Sequence, residues 1–282
     1  MNKLMTVGMA AAMVAGVASA QDGMVITGQA PADNPAETRV TVEAALVSSH
    51  VWRGQVLNND FVFQPQITAS QYGVSLNVWG NYDMGKNYIG IQSDTSEIDV
   101  SLAYTLPLDI NDVAFDVGFV NYNFPANAEA VGNEYGYNRR STTELFVKAT
   151  VTTWRQYVIP SVTFFGDIDK VDGTYILFDV VAPYEISDYL FVAGGLSMGW
   201  ANTRYNDAYW GTSANANGGA IDEGFNDFNA HGSVTYEIME GLQASLSLQY
   251  TMLAGGAVED GARVRYEAKE KVFGGINIAY DF

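Results

Sequence analysis

Long segments in which apolar and polar residues alternate are the feature that most limits how this chain can fold. In segment 242–253, every second position is Leu, Ala, Tyr or Met, and the positions between them are Gln, Ser or Thr. A period of two is typical of a β-strand with an apolar face and a polar face. Segments 73–83 and 95–106 follow the same pattern. The sequence therefore predicts strands whose two faces meet different environments.

Twelve segments share this alternation, and most are 11 to 14 residues long: 39–53, 60–71, 73–83, 95–106, 113–124, 142–152, 156–167, 173–184, 189–202, 225–237, 241–253 and 269–282. Soluble strands usually have about 5–6 residues, whereas a strand that crosses a membrane needs about 9–11. Short connections mostly alternate with long ones, as in outer-membrane barrels with short periplasmic turns and long external loops. We predict an all-β fold, a single closed antiparallel up-and-down transmembrane β-barrel of about twelve strands.

The first residues predict export. Lys3 gives a positive start, residues 4–17 are apolar and small, and Ala18-Ser19-Ala20 fits a cleavage site. This combination is typical of a secretory signal peptide. We predict a signal peptide over 1–20, a flexible polar segment over 21–37 and the barrel over 38–282. The expected location is the outer membrane of a Gram-negative bacterium.

Residue usage excludes several classes of function. The chain has 14 basic and 32 acidic residues, a net charge of −18, which repels nucleic acid. It has no cysteine and two histidines, which leaves little for a metal site. No cofactor and no metal are expected. The expected partners are outer-membrane lipid, the barrel-insertion machinery and small hydrophilic solutes.

The polar face of the strands should line the lumen if the apolar face meets lipid. This parity assigns the following side chains to the lumen: Glu43, Arg53, Trp79, Asn81, Asp83, Glu97, Asp99, Asp116, Glu144, Lys148, Asp179, Asp227, Asn229 and His231. Carboxylates outnumber basic groups in this set, and rings of carboxylates favour cations. The sequence predicts a porin-like barrel that passes small hydrophilic solutes and tolerates cations.

Other interpretations stay open at this stage. Eight strands give a packed interior and 16–18 an open channel, so twelve also allow a filled lumen in which carboxylates pair with Arg53 and Lys148. Such a barrel would be structural or adhesive and act through external loops 125–141 and 203–224. A soluble periplasmic β-sandwich is a third interpretation, which strand length disfavours.

Catalysis is not expected. Asn229, His231 and Ser233 share one strand face, but that face is the lumen, whereas a lipid-acting set should meet the bilayer. The same parity places His50 on the apolar face, near the external end. We therefore predict that the protein is not an enzyme.

Aromatic residues near the segment ends predict two interfacial belts. One belt, near the short turns, includes Tyr72, Tyr157, Tyr184 and Tyr189, and the other, near the long loops, includes Trp52, Tyr82, Tyr122, Trp200 and Tyr250. In the last segment, one face carries residues that look like a C-terminal signal for barrel insertion: Ile276, Ile278, Tyr280 and Phe282.

Several short motifs resemble a known family. They are Val47-Ser48-Ser49-His50-Val51-Trp52-Arg53-Gly54, the strand piece Gln64-Pro65-Gln66, and the pieces Trp79-Gly80 and Glu97-Ile98-Asp99. Over about 44–125 they resemble the TorF-like porin family, with His50 at that family's usual aromatic position. The resemblance implies a proteobacterial outer-membrane barrel with no established substrate. It also implies that Arg53, Glu97 and Asp99 are lumen-facing candidates.

Overall fold

The computed structural model describes residues 37–85, 95–108, 110, 112–124, 141–211, 221–265 and 268–282. The predicted signal peptide and nearly all of the predicted flexible segment lie outside these residues. The strands are β1 (Arg39–Val47), β2 (His50–Trp52), β3 (Gln55–Asn58), β4 (Val62–Gln71), β5 (Val74–Asp83), β6 (Thr95–Thr105), β7 (Val113–Asn123), β8 (Thr142–Val151), β9 (Ile159–Asp167), β10 (Thr174–Ser187), β11 (Leu190–Ala201), β12 (Gly224–Met239), β13 (Leu242–Leu253) and β14 (Glu270–Asp281). Two helices accompany them, α1 (Thr203–Trp210) and α2 (Gly256–Arg265).

Twelve of these strands form one closed wall in which every neighbour is antiparallel. The order is β1-β14-β13-β12-β11-β10-β9-β8-β7-β6-β5-β4, and β4 pairs with β1 to complete the ring. Val40 closes the seam, because its carbonyl oxygen accepts a 2.9 Å hydrogen bond from the backbone amide of Phe282. The predicted closed antiparallel up-and-down barrel of about twelve strands is confirmed.

The two faces of the wall differ as the alternation predicts. On β13, Leu246 and Leu248 are 59% and 63% exposed, whereas the next residue, Gln249, is 5% exposed. The same contrast recurs on β4, where Val62, Gln64 and Gln66 are buried and Phe63 and Ile67 are exposed. An apolar outer band with a polar interior is the arrangement of membrane barrels and the reverse of a soluble one.

The first predicted segment, 39–53, is wrong as a single strand. The wall strand β1 ends at Val47, and β2 and β3 form a separate two-stranded hairpin over His50–Asn58. Trp52 pairs with Gln55, and the two residues between them have positive φ angles of 46° for Arg53 and 78° for Gly54. Two consecutive residues with positive φ make the tight hairpin turn that matches strand twist. The chain therefore reverses where the sequence predicts a short external loop.

The hairpin folds into the barrel. All seven residues of its two strands are buried, and its tip contacts inner-face side chains of the wall. Ser49 ties the two ends of the hairpin together, because its hydroxyl donates to the carbonyl oxygen of Asn58 at 2.5 Å. His50 and Trp52 are consequently buried, at 2% and 4% exposure. His50 does not lie on the lipid face, and Trp52 is not part of an interfacial belt.

The helices α1 and α2 replace parts of two predicted external loops. Asn202 caps α1, since its side-chain oxygen accepts a 3.0 Å hydrogen bond from the amide of Tyr205. Tyr205, Asn206 and Trp210 are buried, and Trp210 packs with α2 in a cluster that includes Val258 and Ala262. Neither helix is long and apolar enough to cross a membrane. Both helices lie at the long-loop end and cover part of the interior there.

Candidate functional site

The fourteen side chains predicted to line the lumen are buried or half-buried, and none is exposed. Thirteen of them belong to wall strands. Arg53 differs because it reaches the interior from the hairpin. The structure brings it together with Glu144, and the others lie around the ring of inner faces. Their role in passage stays a prediction.

Arg53 lies at the tip of the hairpin, and its guanidinium side chain is fully buried. Its Nη1 donates to Oε1 of Glu144 at 2.9 Å, and its Nη2 donates to Oε2 at 2.7 Å. Tyr122 completes the contact, because its hydroxyl accepts from Nη2 at 3.3 Å and donates to Glu144 Oε2 at 3.2 Å. Bidentate arginine–carboxylate pairs are among the strong hydrogen bonds of proteins. The pair fastens the hairpin to the inner face of β8.

Aromatic rings surround the Arg53 guanidinium. Its Cζ lies 4.7, 4.4 and 4.3 Å from the ring centroids of Trp52, Phe165 and Tyr175. Tyr205 of α1 is next, at 5.8 Å. Cation–π contacts of this kind contribute about 2 kcal/mol when they are desolvated. We name this set the Arg53 clamp: Arg53, Glu144, Tyr122, Trp52, Phe165, Tyr175 and Tyr205.

The helix α1 covers the Arg53 clamp from the long-loop end of the barrel. The rings of Tyr205 and Tyr209 lie 4.5 Å apart, and Tyr209 also contacts Trp52 at 5.2 Å. Burial raises the pKa of both phenols well above its usual range. Both therefore stay neutral and act as packing surfaces.

A second contact joins the hairpin to the wall. Nε2 of His50 lies 3.4 Å from Oε2 of Glu97, and both side chains are 2% exposed. The His50 ring also lies 5.6 Å from the Trp79 ring, at an interplanar angle of 54°. Asp99 follows Glu97 on the inner face of β6 and pairs in register with Trp79. The hairpin is thus held at its tip by Glu144 and along its side by Glu97.

Most of the remaining predicted residues form local wall networks. Asn81 donates to Asp83 at 2.9 Å and to Ser96 at 2.7 Å. Asp116 accepts from Thr105 at 2.6 Å and lies opposite Lys148 in register. Within the described ranges, no three His, Asp or Glu side chains are placed to hold a metal ion.

The same kind of network extends across β10 and β12. Asp227 accepts from Tyr175 at 2.9 Å and from Asn229 at 2.8 Å. His231 lies 3.4 Å from Asp179. These contacts link wall strands to one another, and through Tyr175 they also reach the Arg53 clamp.

The interior is narrow on the periplasm-like side of the hairpin, the side of the short turns. Below it, toward the short turns, Thr68, Asn77 and Ser101 on the inner face are 4%, 2% and 5% exposed. Polar side chains that line a water-filled channel would be exposed, so their burial indicates a narrow interior at this level. The paired interior, which the sequence left as an alternative, agrees with the Arg53–Glu144 pair and with the position of Lys148 opposite Asp116 in register.

Sequence reasoning missed the aromatic half of the clamp. Phe165 and Tyr175 have the same strand parity as the inward Asp167 and Asp179, so the alternation contained that signal. Tyr205 lies in α1, within the segment 203–224 that the sequence predicts as a loop, where strand parity has no meaning. Tyr122, predicted for an interfacial belt, is 1% exposed and belongs to the clamp.

Comparison with solved structures shows the same fold at very low sequence identity. The KdgM porin in complex with disordered oligogalacturonate aligns over 86% of this chain and 99% of its own, with 8% identity and a TM-score of 0.50. The NanC porin aligns over 86% and 98%, with 12% identity and a TM-score of 0.48. An outer-membrane channel from Pseudomonas putida F1 aligns over 87% and 95%, with 11% identity and a TM-score of 0.45. The KdgM comparison shows that outer-membrane barrels share this fold.

The sequence comparisons name a family. No curated protein matches the chain. The resemblance to TorF-like porins is not confirmed by any of these comparisons. The profile of the family described as MltA-interacting protein MipA matches residues 44–282, which is the entire wall except the start of β1. The chain therefore belongs to the MipA family.

Proposed function

We propose that this protein is a porin-like barrel of the bacterial outer membrane that is closed at rest. Small hydrophilic solutes cross it when the hairpin leaves the lumen, and cations cross in preference to anions. In the membrane the short turns face the periplasm and the long loops face outward. A leader over 1–20, cleaved during export, and the absence of enzymatic activity complete the proposal.

The Arg53 clamp is the observation that supports a closed state. The hairpin is fastened by two charge-assisted hydrogen bonds and three aromatic contacts. It occupies the interior at the height of Glu144 on β8. The hairpin lies within the connection between β1 and β4, so along the chain it joins the wall only through residues 48–49 and 59–61. Rotation about these two ends, once the Arg53–Glu144 contact is released, would free the lumen without breaking a hydrogen bond between neighbouring wall strands.

Cation preference follows from the charges of the inner face. The predicted lumen set holds eight carboxylates and two basic side chains, Arg53 and Lys148. Arg53 also leaves the lumen with the hairpin. An open lumen would then present carboxylates with little opposing charge, which lowers the barrier for cations.

We expect the wild-type barrel in a planar bilayer to be silent most of the time, with brief openings. In a salt gradient, the reversal potential of those openings should favour K⁺ over Cl⁻. The paired substitution Glu97→Gln and Asp99→Asn should reduce this preference, and Asp169→Asn in an exposed loop should leave it unchanged. A permanently open channel, or a preference for Cl⁻, would contradict the proposal.

A second function is favoured by the family itself. The family's description records an interaction with MltA, and a closed barrel is suited to hold a partner at the membrane. We propose that this chain also binds MltA. Purified MltA should form a complex with the folded barrel in detergent, and a heat-denatured barrel should not. Arg53→Ala should leave this complex intact, which separates the two functions. Failure of the folded barrel to bind MltA rejects this second function.

Recognition by the insertion machinery is also part of the proposal. The side chains of Ile276, Ile278, Tyr280 and Phe282 point outward on β14 or just beyond it, and Phe282 is 74% exposed. The rings of Tyr280 and Phe282 contact each other at 4.7 Å. These side chains form an outward aromatic end that a receptor could bind before the barrel closes.

A further inference from the structure

His50 is the side chain of the hairpin whose charge changes near neutral pH, and it meets the wall at two carboxylates. Its Nε2 lies 3.4 Å from Oε2 of Glu97 on β6, and both side chains are 2% exposed. Asp99 follows two positions later on the same inner face and is 1% exposed. Because His50 belongs to the hairpin and both carboxylates belong to the wall, this contact exists only while the hairpin is inside the barrel.

Asp99 has little around it that stabilises a negative charge. Within the described ranges, no side chain donates a hydrogen bond to either of its carboxylate oxygens, and both atoms are buried. The backbone amide of Asn123, on the neighbouring strand β7, is the donor that acts on it. Burial of an ionised carboxylate is costly unless a cation lies beside it. The charge of Asp99 is therefore a cost that the closed barrel bears.

The other charged groups near this contact already have partners. Arg53 of the hairpin is bound to Glu144 of β8 at 2.7 and 2.9 Å. Asp83 of β5 accepts hydrogen bonds from two neutral side chains, at 2.9 and 3.1 Å. The ring that β5 places against His50 is that of Trp79, which carries no charge. His50 is thus the basic side chain that faces the two carboxylates of β6.

The contact holds more protons when the hairpin is inside than when it is outside. With a neutral imidazole, two ionised carboxylates would lie out of water without a cation. One proton on His50 supplies the cation for Glu97, and a second proton removes the charge of Asp99. In a water-filled lumen the carboxylates ionise above about pH 4, and a solvated imidazole is neutral above about pH 6.5. Opening therefore releases up to two protons.

We propose that His50, Glu97 and Asp99 form a pH-sensitive latch, which holds the barrel closed in acid and weakens as the pH rises. The latch rests on the proposed function, because only a hairpin that leaves the lumen can break the contact. Its sign follows from linkage: the closed state binds more protons than the open state, so a high proton concentration favours the closed state.

The open probability of single barrels, measured against pH in planar bilayers, tests the latch. Wild-type openings should be rare at about pH 5 and increase toward about pH 8, by up to about tenfold per pH unit for each proton released. The paired substitution Glu97→Gln and Asp99→Asn should reverse the slope. A buried histidine without a carboxylate beside it stays neutral and gains its proton only in water, so acid should then favour opening.

The matched control is His231→Gln. His231 also lies 3.4 Å from a carboxylate, that of Asp179, but both residues belong to the wall and stay together when the hairpin leaves. This variant should keep the wild-type slope of open probability against pH. A change of slope equal to that of the paired substitution would show a general response of the acidic interior and overturn the latch.

Two further outcomes separate the latch from the closed barrel itself. A wild type that opens equally often at every pH would overturn the latch and leave the closed barrel standing, and so would a paired variant that keeps the wild-type slope. A barrel that stays silent at every pH, even with Arg53→Ala, would reject the closed porin-like barrel and the latch with it. Heat-modifiable migration on a gel checks that each variant is folded.

Discussion

Replacing Arg53 with alanine is expected to convert the barrel from a mostly silent protein into a conducting one. The substitution leaves Glu144 buried without its partner, and breaking a buried ion pair from one side costs about 3–5 kcal/mol. It also removes the cation at the centre of the aromatic contacts. The hairpin should therefore leave the lumen for a large fraction of the time. Single-channel recording in planar bilayers measures the change as a rise in open probability.

Two further variants make this prediction specific. The double variant Arg53→Met with Glu144→Leu removes both charges and keeps apolar volume, a replacement that is often nearly neutral for stability. Its open probability should therefore return most of the way to the low wild-type value. Gly54→Ala leaves every charge in place but should open the barrel. Its Cβ would lie 2.5 Å from Leu253 Cδ2 and 2.9 Å from Asp227 Cβ, at a φ of 78°.

The control for Gly54→Ala is Gly224→Ala at the start of β12, where an added Cβ meets nothing within 4 Å. It should conduct no more than the wild type. If Arg53→Ala and Gly54→Ala both remain silent while folded, the hairpin is not the closing element. The proposal of a closed porin-like barrel would then fail.

The second large effect concerns the outer face. Leu248→Arg, near the middle of β13, should destabilise the folded barrel in lipid by about 2–4 kcal/mol. The reason is that Leu248 is 63% exposed on the apolar face, so the arginine would lie in hydrocarbon. Unfolding by guanidinium chloride in liposomes measures the decrease in the free energy of unfolding.

Met252→Arg is the matched control for this prediction. It lies on the same strand and the same face, but next to the end of β13. Near the membrane interface an arginine costs about 0–1 kcal/mol. A clear difference between the two variants is expected only if the outer face spans a bilayer. Equal, small effects of both would show that the outer face of the barrel does not span a bilayer.

The wall could be predicted from the sequence because one signal determines it. Alternation along 242–253 corresponds to the observed β13 residue for residue, and it reflects a physical difference between lipid and interior on the two sides of a strand. The same alternation predicted that Glu144 and Asp227 lie on the inner face of their strands. Such a signal is local, and each strand carries it independently of the others.

The hairpin and α1 could not be predicted in this way. Val47, Val51 and Arg53 have the parity of Glu43, so the alternation continues through the point at which the chain turns into the barrel. The reversal depends on the contact of Arg53 with Glu144, 91 residues away along the chain. The position of Tyr205 likewise depends on Tyr175 of β10, 30 residues earlier in the chain. Contacts between distant segments leave no period in the sequence.

The attachment of the hairpin to β1 has a consequence for the order of folding. Only Ser48 and Ser49 separate β1 from β2, and β1 is the strand that meets β14 to close the ring. The partners of Arg53 lie on strands from the middle of the chain. Because the linker is this short, the hairpin reaches the partners of Arg53 no earlier than β1 reaches the edge of the wall. The strand that seals the ring is thus also the strand that brings the contents of the ring with it.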